Sequence, residues 1–119
     1  MELDDSEIVE LFIKSGETLQ TDKIREIFDT IHRSFASARG LLVSAGDKAT
    51  LSPEARELVS SEGITDIIVA DAIVIKHYYH QMSSNFFVRY NKPSRPTKIF
   101  KSDGEAREWL RDRIAEAGG

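Results

Sequence analysis

From Ile67 to Ile75 the chain is apolar at every position except Asp71, and five of the residues in that run are isoleucine or valine beyond its first. So dense a β-branched block, too short to span a bilayer and interrupted by a carboxylate, predicts a central strand of a soluble domain, most securely over Ala72-Ile73-Val74-Ile75. A strand covered on both faces needs other strands beside it and helices above and below. The rest of the chain is read for those partners.

Ile8-Val9-Glu10-Leu11-Phe12-Ile13, between Glu7 and Lys14 and closed by Gly16, suits a second strand. Ile24, Ile27, Phe28, Ile31 and Phe35 recur at helical spacing behind Thr21-Asp22, which predicts a helix capped there and ending near Gly40. Leu41-Leu42-Val43 is then a short buried strand before the loop Ser44 to Lys48. Ser52-Pro53 opens a second helix, with serine as cap and proline at the first helical position. Its inner face is Ala55, Leu58 and Val59, and Gly63 stops it.

Tyr78/Tyr79, Met82, Phe86 and Tyr90 step by three and four, predicting a third helix from about His77 to Asn91. Pro93 and Pro96 impose an extended connection. Lys98-Ile99-Phe100-Lys101 reads as a strand. Ser102-Asp103-Gly104-Glu105 matches a capping box, and Ala106, Trp109, Leu110 and Ile114 give the last helix its buried stripe. Four strands alternating with four helices predict an α/β fold, a mixed and mostly parallel sheet of four or five strands with about four helices packed on it. One domain over 1–119 is expected, with an acidic tail at 1–6 and a C-terminal tail at 115–119.

The 119 residues, 40% hydrophobic and 30% charged, suffice for one core, and the lack of cysteine excludes disulfide and thiolate chemistry. The start Met1-Glu2-Leu3-Asp4-Asp5-Ser6 has neither the basic residues nor the apolar run of a secretory signal, which predicts a cytoplasmic protein. The net charge of −4 is unevenly spread. Acids crowd the N-terminus, whereas Lys76 to Lys101 contains none and carries Lys76, Arg89, Lys92, Arg95, Lys98 and Lys101.

The order of parts, with Ser52-Pro53-Glu54-Ala55-Arg56, Ala72-Ile73-Val74-Ile75, Asn85-Phe86-Phe87 and Pro96-Thr97-Lys98-Ile99-Phe100 followed by Glu105-Ala106-Arg107-Glu108-Trp109-Leu110, resembles the SpoIIAA-like group of bacterial STAS/SEC14-type domains over roughly Leu11 to Ile114. The resemblance implies a non-enzymatic regulatory module that docks on a protein partner, as anti-sigma-factor antagonists do. In those, a serine or threonine opening a helix after a central strand is phosphorylated, and Ser52 holds a similar place. The loop here reads Gly46-Asp47-Lys48-Ala49-Thr50-Leu51-Ser52-Pro53, without the family's Asp-Ser-Ser/Thr-Gly sequence. The group usually begins with a strand hairpin, of which one strand is legible here.

Asp47, Thr50 and Ser52 are therefore the phosphoacceptor or partner-contact positions, although serine before Pro-Glu is also an ordinary helix cap. His77, Tyr78, Tyr79, His80, Arg89, Lys92 and Arg95 interleave basic and aromatic character. They read as core packing with a solvated basic face, as a site for an acidic protein or anionic ligand, or, least favoured because the chain is acidic overall, as a nucleic-acid surface with Lys98. SEC14-type relatives are similar to lipid carriers, so the alternative function is binding of a small amphipathic ligand in a cavity bounded by Tyr78, Tyr79, Met82 and Phe86.

His77 and His80 could form half of a metal site, but His32 is the one further histidine and there is no cysteine, so no metal is expected. No nucleophile elbow and no Gly-rich phosphate loop occurs, so neither an enzyme nor a cofactor is expected. Pro93-Ser94-Arg95-Pro96 fits a polyproline ligand less well than a stiff connector. The acidic N-terminus meeting the basic face of a second copy is one route to a homodimer.

Overall fold

The structure, a computed structural model, describes residues 2–3, 7–46, 48–60, 67–75 and 95–118. In chain order the elements are β1 (Glu2–Leu3), β2 (Ile8–Ile13), β3 (Thr18–Leu19), α1 (Thr21–Ser34), β4 (Gly40–Ala45), β5 (Thr50–Leu51), α2 (Pro53–Ser60), β6 (Ala70–Val74), β7 (Thr97–Phe100) and α3 (Asp103–Gly118). One sheet runs β1-β2-β4-β6-β7, with β2, β4, β6 and β7 parallel and β1 antiparallel at the edge; β3 and β5 form a separate parallel pair. The α/β class and the mostly parallel sheet are thus present. The third helix expected from His77 to Asn91, and the stop at Gly63, lie outside the described residues.

Because successive strand residues point to opposite faces, each strand divides its side chains between two cores. Val9, Ile13 and Leu41 join Ile24, Ile27, Phe28 and Ile31 of α1 and Ala55 of α2 on one face. Ile8, Leu42, Ala70, Ala72 and Val74 join Ala106 and Leu110 of α3 on the other. The small alanines of β6 let α3 lie close to the sheet. At its far side Trp109 packs on Phe100, ring centroids 5.6 Å apart and tilted by 52°.

Several boundaries differ from those expected. α1 ends at Ser34, not near Gly40: Phe35 leaves helical geometry with φ −131° and turns into the first core, while its N–H still bonds the Ile31 carbonyl. Gln20, not Thr21 or Asp22, is the N-cap, and no side chain bonds the free N–H groups there. Glu2–Leu3, within the stretch read as a tail, pair with Glu10 and Val9. Residues 115–118, read as a tail, continue α3, where alanine and glutamate favour helix and Arg113 reaches Glu116 at 2.7 Å.

Candidate functional site

Asp71 alternates onto the face of β6 that looks toward α1, and the register places it between Leu41 of β4 and Thr97 of β7. A carboxylate there has no water to solvate it and must find a counter-charge. Arg95, just before β7, supplies one: its Nε lies 2.7 Å from Asp71 Oδ2, the two side chains being 8% and 7% exposed. The contact is a close ion pair at an angle too bent for an N–H···O hydrogen bond.

The surroundings hold the guanidinium in place. Nη1 donates to the Val59 carbonyl of α2 at 3.4 Å, and the Arg95 side chain lies over the Phe28 ring of α1, 5.6 Å from its centre. Thr97 Oγ1 shares its proton between Asp71 Oδ2, at 3.3 Å, and the Arg95 carbonyl, at 3.1 Å. Asp71 Oδ1 and Arg95 Nη2 have no hydrogen-bond partner among the described residues. Burial pushes the Asp71 carboxyl up from 3.8 to about 6, against the opposing pull of the Arg95 charge and of the polar contacts from Arg95 and Thr97.

Asp71 also lies in the wall of a cavity of about 310 Å³ between the sheet and its two N-terminal helices. Leu11, Ile13, Leu41, Val43, Ile73 and Ile75 line it from the sheet. Ile24, Ile27 and Phe28 close it from α1, Val59 and Arg56 from α2, and Leu51 and Thr50 from the small pair. Among the described residues the polar members of this wall are Thr50, Arg56, Asp71 and Thr97, and the rest is hydrocarbon. The size and the few convergent polar groups are those of a small-molecule site.

The residues singled out from the sequence fare unequally. Arg95 belongs to the site, but as the buried partner of Asp71 and not as part of a solvated basic face. Ser52 is buried at the start of α2, where its Oγ accepts the Ala55 N–H at 3.1 Å, the cap that Ser-Pro-Glu predicts. Thr50 lies in the cavity wall and meets Thr18 hydroxyl to hydroxyl at 3.1 Å. Asp47, His77, Tyr78, Tyr79, His80, Met82, Phe86, Arg89 and Lys92 lie outside the described residues. Asp71 was missed, although a lone carboxylate inside a β-branched run is itself a signal that a buried partner or ligand awaits it.

Among the described residues no group of three or more His, Asp or Glu gathers to hold a metal, and no helix is long and apolar enough to cross a membrane. The molecule is thus an α/β domain with a mostly parallel sheet and an apolar cavity with a buried ion pair at its wall. It belongs to the family described as Domain of unknown function (DUF7793), whose sequence model matches residues 1–113. No curated protein and no solved structure matches the chain.

Proposed function

We propose that this domain binds a small amphipathic molecule in the cavity between the sheet and helices α1 and α2. The observation that carries the reading is the conjunction of an apolar space of about 310 Å³ with a buried carboxylate at its wall that has one oxygen without a hydrogen-bond partner among the described residues. An ion pair costs more than hydrocarbon at such a place, so its retention in a wall otherwise made of Ile, Leu and Val favours a role in recognition over one in packing. The resemblance to STAS/SEC14-type domains, some similar to lipid carriers, agrees with this reading, and the antiparallel β1–β2 pair is the opening hairpin that group leads one to expect.

Docking on a protein partner through Ser52 and its loop has less support, because the Ser52 hydroxyl is buried and already caps α2. Isothermal titration with a set of eight-carbon probes tests the ligand reading. Saturable one-to-one binding is expected, lost in Val43→Phe while circular dichroism shows the fold retained. Absence of saturable binding by every probe would overturn it.

A further inference from the structure

The chemistry at the cavity wall narrows what its occupant can be, and this narrowing rests on the ligand-binding reading above. Asp71 Oδ2 is occupied by Arg95 and Thr97, whereas Oδ1 has no hydrogen-bond partner among the described residues. The positive charge of Arg95 is spent on Asp71, so the pair is neutral as a unit. Arg56, the other cation of the wall, is itself engaged in an interaction of its own.

Three kinds of head group can be compared. An ionised carboxylate brought to Asp71 would set acceptor against acceptor, with repulsion and nothing to share. A cation would add a net charge to a wall of hydrocarbon around a pair that is already balanced. A neutral O–H or N–H donor satisfies Oδ1 and brings no charge. The space holds on the order of ten non-hydrogen atoms if each takes about the 30 Å³ that a water molecule takes in the liquid.

We infer that the cavity selects neutral, single-headed apolar molecules that donate one hydrogen bond, an alcohol or amide at the end of a short hydrocarbon, and that Asp71 Oδ1 is the atom that reads the head group. Selectivity of this kind is stronger than selectivity for hydrocarbon length, because an analogue without the donor leaves the buried acceptor unmet.

The test compares isomers. 1-Octanol and heptyl methyl ether have the same atoms and nearly the same shape and differ in the hydrogen-bond donor; octanoate and octylamine supply the charged heads. Titrated into the native full chain, octanol should bind about tenfold or more tightly than the ether, with octanoate and octylamine weaker than octanol. In the double variant Asp71→Leu/Arg95→Met, octanol and ether should bind alike. Equal affinity of octanol and ether for the native chain overturns the assignment to Asp71 while leaving the cavity reading intact. Tighter binding of octanoate overturns it too, pointing to Arg56 as the group that reads the head. Failure of all four probes removes the cavity reading itself.

Discussion

Asp71 and Arg95 face each other at 2.7 Å with both side chains more than nine-tenths buried, one on a central strand and the other on the approach to its neighbour. They are unequal partners. A buried carboxyl can take up a proton and become neutral, whereas a guanidinium cannot lose one.

This inequality predicts an asymmetric response to mutation. Asp71→Asn leaves a cation buried without counter-charge and should cost about 3–5 kcal/mol at any pH below 8. Arg95→Met should cost less at pH 5 than at pH 7, because Asp71 can hold a proton at the lower pH. The double variant Asp71→Asn/Arg95→Met should be more stable than the sum of the two single losses allows. Urea unfolding at both pH values measures all three.

The raised Asp71 carboxyl also fixes a pH dependence. Its folded value, about 6, exceeds the ordinary 3.8, so between these limits the native state holds the proton and the unfolded chain has released it. Stability from this group is therefore greatest below about pH 4 and is lost as pH rises through 6. The loss is about 3 kcal/mol, each pKa unit being worth about 1.4 kcal/mol. Other carboxyls titrate in the same window, so the quantity to follow is native stability minus that of Asp71→Asn. A difference that stays level from pH 4 to 7 would contradict this account.

Gly46 and Gly40, at the two ends of β4, should differ in tolerance. A Cβ on Gly46 would lie 2.6 Å from the Ser15 backbone nitrogen and 3.0 Å from the Ile13 carbonyl, atoms that cannot yield without shifting β2. On Gly40 it would meet the Ile114 Cδ1 at 3.1 Å and the Leu110 Cδ2 at 3.4 Å, both ends of side chains. Gly46→Ala should cost about 1–3 kcal/mol and Gly40→Ala less, as read from denaturation midpoints.

Ser52→Ala should lower stability by about 1 kcal/mol through loss of the bond to the Ala55 N–H, and Ser52→Asn should restore most of it. Equal stability of all three chains would show that the cap contributes nothing.

Much of this architecture is legible in residue order. The β-branched runs of β2 and β6 and the Ile24/Ile27/Phe28/Ile31 spacing carry their own geometry, and Ser102 does cap α3, accepting the Glu105 N–H at 3.3 Å. Short elements made by tertiary pairing leave no such trace. β1 exists because Glu2 and Leu3 meet Glu10 and Val9, and β5 because Thr50 and Leu51 meet Thr18 and Leu19. Arg95 looked like part of a surface charge run because a linear reading cannot place it over Phe28 and against Asp71, which are 67 and 24 residues earlier. A cavity is harder still to foresee, being a space that many correctly read side chains fail to fill.

The sheet keeps its two cores apart. On the α3 side Ala70, Ala72 and Leu42 are packed with no exposure of the last two, while the opposite side holds the cavity and the ion pair. The residues that anchor α3 and those that line the cavity alternate along the same strands, so a change to Val43 or Ile73 leaves the neighbouring contact with α3 untouched. Descendants of this chain could therefore exchange one ligand for another by altering every second residue, inheriting a scaffold that each such change leaves standing.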